Sequence, residues 1–99
     1  NFKIHISCSI LVLTAGFIFK ISITEWFVIL LCIGLVLSME MLNTAIEKLC
    51  DVVHREYHPG IRATKDIAAG AVLVSAIIAA VCGAIIFIPE IFSFIQSFK

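Results

Sequence analysis

The sequence predicts an all-α integral membrane protein, one domain with three membrane-spanning helices, and three observations carry that expectation. The first is composition: 62% of the 99 residues are hydrophobic and only 14% charged, with a mean hydropathy of +1.15. A soluble domain holds about 45–50% apolar and about 25% charged residues, and seven acids with seven bases could not cover the exposed surface of so short a chain in water. The second is that the apolar residues fall in three runs, each near the twenty residues that ~30 Å of hydrocarbon requires. The third is that the charges gather between the second and third runs. Formal net charge is zero, so no global field draws nucleic acid, and that partner class is excluded.

The first span is placed at 4–23, uncharged over 4–19, interrupted by Lys20 and resumed by Ile21, Ser22 and Ile23. The second is placed at 26–46, where Glu40 is the one charged residue and Trp26 stands where an interfacial aromatic anchor belongs. The third, 67–88, carries no charge, and its small residues, among them Ala68, Ala69, Gly70 and Ala71, allow helix backbones to approach closely. Residues 47–66 hold four of the seven bases (Lys48, Arg55, Arg62, Lys65), four of the seven acids and two of the three histidines, so they read as a water-facing loop. Loop bases favour the cytoplasmic side, which puts the turn around Lys20 to Glu25 and the C-terminus outside. Pro59-Gly60 breaks any helix that precedes it. After Pro89 the tail 89–99 sets Ile91, Ile95 and Phe98 on one helical face, as an interfacial anchor would. The cysteines, at 8, 32, 50 and 82, show no ligand-like spacing and read as buried thiols. The chain opens with Asn1, and its first residues have no signal-peptide character.

The chemistry lies in a polar stripe. Glu40, Asn43, Glu47 and Asp51 stand at i, i+3, i+7 and i+11, within an arc of about 80° on one helix face. Glu40 begins the stripe inside apolar sequence, where an ionisable residue costs about 2.5–3.5 kcal/mol on insertion scales. Such a position suits a general base; pairing with a polar group of a neighbouring helix is the structural alternative. Glu47 and Asp51 are hard oxygen ligands of the kind Mg²⁺ takes, or else a solvated helix end. Arg62, Lys65 and Asp66 precede the third span, where bases and free backbone N–H groups could hold phosphate or simply snorkel to the interface. His54 and His58 miss the zinc-protease pattern, and neither a P-loop nor a GxGxxG motif occurs. Lys3 and His5 are either interfacial or substrate contacts.

The run Glu40-Met41-Leu42-Asn43-Thr44-Ala45-Ile46-Glu47, with Asp51, Glu56-Tyr57-His58, Thr64-Lys65-Asp66 and Ala68-Ala69-Gly70-Ala71-Val72, resembles the prokaryotic integral-membrane diacylglycerol kinase family, which includes the undecaprenol kinases. The likeness covers essentially the whole chain. It implies a homotrimer with three membrane helices per subunit, multi-pass in the bacterial cytoplasmic membrane, that transfers the γ-phosphate of ATP to a lipid hydroxyl with its active site facing the cytoplasm. By position it implies Glu40 as catalytic base, Glu47 as the Mg²⁺ and ATP ligand, and Asn43 and Asp51 as supporting polar residues. Glu56, Tyr57, His58, Lys65 and Asp66 match nucleotide-binding positions; Asn1, Phe2, Lys3, Ile4, His5 and Trp26, with Glu40, fall where the lipid substrate is contacted. Family members carry a surface helix and a metal-binding glutamate before the position of Asn1, so the resemblance also implies a truncated chain. The lipid stays open between diacylglycerol and undecaprenol, with Tyr57-His58-Pro59 and the small-residue stretch closer to the undecaprenol branch. The rival class is a non-enzymatic membrane oligomer or ion-conducting assembly, for which the cluster from Glu56 to Asp66 has no purpose.

Overall fold

The computed structural model describes residues 2–54 and 56–99 and contains three helices: α1 (Phe2–Phe19), α2 (Ile23–Val53) and α3 (Pro59–Gln96). All three are long and apolar enough to cross a membrane. They form a narrow bundle of 61 × 20 × 17 Å in which α2 packs against both other helices. Few side chains are enclosed: Ile21, Ile29 and Ile86 form the buried centre, with Val12, Trp26, Ile33 and Phe87 packed around it. Large apolar side chains such as Leu11, Leu31 and Ile85 lie on the outside. That arrangement is stable where the surroundings are hydrocarbon, because the helices satisfy their own backbone groups.

The α1–α2 turn is built by local rules. Lys20 adopts φ 52°, the left-handed conformation that ends a helix, and the Ile21 N–H donates to the Gly16 carbonyl (3.2 Å), closing a Schellman-type cap. Ser22 then caps α2: the Glu25 N–H donates to Ser22 Oγ (3.2 Å) while the Ser22 N–H donates to Glu25 Oε1 (3.0 Å), a complete capping box. Trp26 folds back onto α1, its ring 4.9 Å from that of Phe17. A Cβ at Gly16 would stand 2.7 Å from the Trp26 ring, so only glycine admits this contact.

Two stretches differ from the sequence expectation. Residues 47–53 and 59–66, expected as a loop, are helix; the break spans only 54–58, with Pro59 at the start of α3 and His58 Nδ1 accepting the Gly60 N–H (3.0 Å). Proline at a helix start lacks an N–H that would be unsatisfied there anyway, so it opens the helix as well as ending the previous one. Pro89 does not separate a tail, because α3 runs through it to Gln96. The tail side chain Phe94 instead packs edge-on against Phe19 (6.1 Å) and Phe98 (4.9 Å), tying the end of α3 to the end of α1. The cysteines also diverge from the expectation of buried thiols: Cys50 is buried, Cys32 and Cys82 are half-buried, and Cys8 on α1 is exposed.

Candidate functional site

Because α1 and α2 run antiparallel, the start of α1 returns to the far part of α2. There His5 meets Glu40, with Nε2 3.2 Å from Oε2. Glu40 is the sole buried acid among the described residues, 7% exposed. One turn further, Asn43 Nδ2 donates to Glu47 Oε1 (3.2 Å), while Asn43 Oδ1 is shut from solvent and has no hydrogen-bond partner. One more turn along, Asp51 reaches across to α3 and accepts from Lys65 Nζ at 2.7 Å. The Asp51 carboxylate, chiefly through this hydrogen bond, holds the Lys65 ammonium above the usual lysine range. At 1.5 Å per residue, Glu47 lies about 10 Å and Asp51 about 16 Å from Glu40 along the axis.

Beyond Asp51 the interhelix turn shapes a cleft of about 110 Å³ lined by His54, Glu56, Tyr57, His58, Arg62 and Lys65, together with Ile61. The two histidine rings stand edge to face 5.3 Å apart. Lys65 belongs both to this cleft and to the Asp51 pair, so it joins the end of the stripe to the turn. Asp66 lies 3.7 Å from Arg62 of the cleft, both side chains being exposed.

The structure therefore gathers Glu40, Asn43, Glu47, Asp51, Lys65, Glu56, Tyr57 and His58 along one end of the molecule, with His5 joined to the stripe from α1. Phe2, Lys3 and Ile4 occupy the exposed first turn of α1 beside it. Trp26 stands apart: fourteen residues before Glu40 on the same helix, it is about 21 Å away along the axis, at the opposite end of the bundle. Asn1 lies outside the described residues, as does Arg55. His54, set only against the zinc-protease pattern in sequence, and Ile61, unmarked there, also line the cleft. The i, i+4 spacing of His54 and His58 was the available signal for the first, and nothing local marks the second.

A divalent cation would find hard oxygens here. The Glu47 carboxylate and the unpartnered Asn43 Oδ1 suit Mg²⁺, which takes one or two carboxylates and fills its octahedron with water and phosphate oxygens. No cluster of three or more His, Cys, Asp or Glu side chains occurs among the described residues, so a cation here would have to draw most of its ligands from water and substrate.

The family described as prokaryotic diacylglycerol kinase matches residues 1–87. The chain is 45% identical over 91 residues to an undecaprenol kinase of Bacillus subtilis (strain 168), covering 92% of this chain and 74% of that protein. It is 37% identical over 94 residues to a diacylglycerol kinase of Synechocystis sp. (strain ATCC 27184 / PCC 6803 / Kazusa), covering 94% of this chain and 54% of that one. It thus spans about three quarters of the first relative and about half of the second. No solved structure gives a significant match. The chain belongs to the prokaryotic diacylglycerol kinase family and is a phosphotransferase of the lipid-kinase type.

Proposed function

We propose that this protein transfers the γ-phosphate of ATP to the hydroxyl of a membrane lipid, at the cytoplasmic face of the bacterial cytoplasmic membrane and as a homotrimer, in lipid-carrier or phospholipid recycling. Undecaprenol is favoured over diacylglycerol by the higher identity to the Bacillus relative. The observation that carries the reading is Glu40: a buried acid in apolar helix, on the same face as Glu47 about two turns nearer the polar end.

In this reading Glu40 accepts the hydroxyl proton. The lipid O–H bond breaks as its oxygen bonds to the γ-phosphorus, and the bridging P–O bond breaks with its electron pair leaving on ADP. Glu47 and Asn43 would hold Mg²⁺, which would offset phosphate charge when bound. Asp51 fixes Lys65 at the edge of the cleft, where its ammonium meets phosphate, and Glu56, Tyr57, His58 and Asp66 position the nucleotide. Phe2, Lys3 and Ile4 guide the lipid toward Glu40, which His5 borders, and Trp26 is assigned to the far end of its chain. The ion-conducting alternative gives no account of the family membership and is set aside.

The test is lipid phosphorylation in mixed micelles with Mg·ATP, undecaprenol and diacylglycerol being assayed side by side. Glu40→Gln lowers kcat by about 10²–10⁴-fold, the usual range for general-base catalysis. A fully active Glu40→Gln protein overturns the assignment of the base, and equal rates on the two lipids overturn the preference for undecaprenol.

A further inference from the structure

His5 is separated from Glu40 by thirty-five positions in sequence, yet the antiparallel α1–α2 packing brings its Nε2 to 3.2 Å from Oε2. The contact is sheltered: the two side chains are 20% and 9% exposed. The backbone beneath the imidazole is also tied, since Ser9 Oγ donates to the His5 carbonyl at 2.7 Å. On its other side His5 borders a groove of about 460 Å³, with Ile4 and Val12 of α1 and Ala76 and Ala79 of α3 among its walls. His5 thus stands between an apolar groove and the carboxylate. The groove walls present no charged side chain; the other titratable groups among them are the thiols of Cys8, one turn from His5, and Cys32 of α2.

We propose that His5 is a positioning residue for Glu40, its Nε2–H donating to Oε2 and so restraining the carboxylate; this rests on Glu40 being the base. A glutamate carries several rotatable bonds and loses its aim unless a neighbour restrains it. A donor to a carboxylate sheltered from water forms the stronger, charge-assisted kind of hydrogen bond, so the His5 contact restrains the head group. His5 acts through Glu40 rather than on the reacting atoms.

The experiment compares His5→Ala and His5→Gln, each alone and combined with Glu40→Gln, in the same micelle assay. His5→Ala lowers kcat by about 10–100-fold, the range for removing a residue that orients a reactive ligand, with KM for lipid and for Mg·ATP held within about twofold. His5→Gln, whose amide N–H can take the place of Nε2–H, recovers most of that loss. In the Glu40→Gln background His5→Ala adds nothing, because groups acting as a unit are non-additive. A wild-type kcat in His5→Ala, a loss confined to the lipid KM, or multiplicative effects with Glu40→Gln would each overturn the proposal. An impaired Glu40→Gln with a fully active His5→Ala removes only the role of His5, whereas a fully active Glu40→Gln removes the base itself.

Discussion

The two ends of the bundle are built on opposite terms. At the α1–α2 turn every device is local and closed: a left-handed Lys20, a capping box between Ser22 and Glu25, and Trp26 laid on Gly16. At the other end the polar groups reach across between elements, His5 to Glu40 and Asp51 to Lys65, and several remain exposed or unpartnered. Saturated contacts hold a fold; carboxylates, a buried lone pair and ammonium groups with capacity to spare can still take a ligand. Stability and chemistry are therefore separable here, and variants at the two ends should fail in different assays.

The largest separation is expected at Glu47. Glu47→Gln keeps the helix and its hydrogen-bonding shape but loses the charge, so kcat/KM for Mg·ATP falls at least about tenfold while the thermal midpoint in detergent stays near that of the parent; retention of full activity at low Mg²⁺ would break the comparison. Gly16→Ala does the reverse. The added methyl meets the Trp26 ring at 2.7 Å, and overpacking of that kind destabilises by about 1–3 kcal/mol, read as a lower unfolding midpoint with catalytic parameters of the folded fraction unchanged. Ser22→Ala removes half of the capping box and lowers stability by about 1 kcal/mol, again with no effect on Mg·ATP. The smallest change runs the other way: Lys20→Gly relieves the left-handed backbone, offset by the extra freedom of glycine in the unfolded chain, for a net gain of about 0.5 kcal/mol. A loss of stability in Lys20→Gly would show that the lysine side chain, not the turn, matters there.

The helices were legible because hydropathy runs of this length have one physical solution in lipid. Their ends were less so. Charged residues over 47–53 and 59–66 read as a loop, although the stripe that puts Asp51 on the face of Glu40 already requires helix as far as Asp51; polarity marks the water boundary, not the end of the hydrogen-bonded backbone. The capping box at Ser22 and Glu25 was present in the sequence as S-x-x-E and marks the α2 start that the structure shows. Within the site, the stripe was visible by spacing alone because its members share one helix. The His5–Glu40 and Asp51–Lys65 contacts were not, since they join residues whose proximity is decided by how helices pack, and periodicity within one helix carries no information on that.

The lengths of α2 and α3 hold one more implication. At 31 and 38 residues they measure about 46 and 57 Å, well beyond the ~30 Å of an oily interior. On the function proposed above, the surplus on the side of the interhelix turn would stand as a short pedestal that carries the cleft clear of the acyl chains, so that a highly charged, water-borne reactant could dock without being dehydrated by the bilayer. The greasy reactant would need to rise only to the foot of that pedestal, and each molecule would meet the other without leaving the phase in which it dissolves.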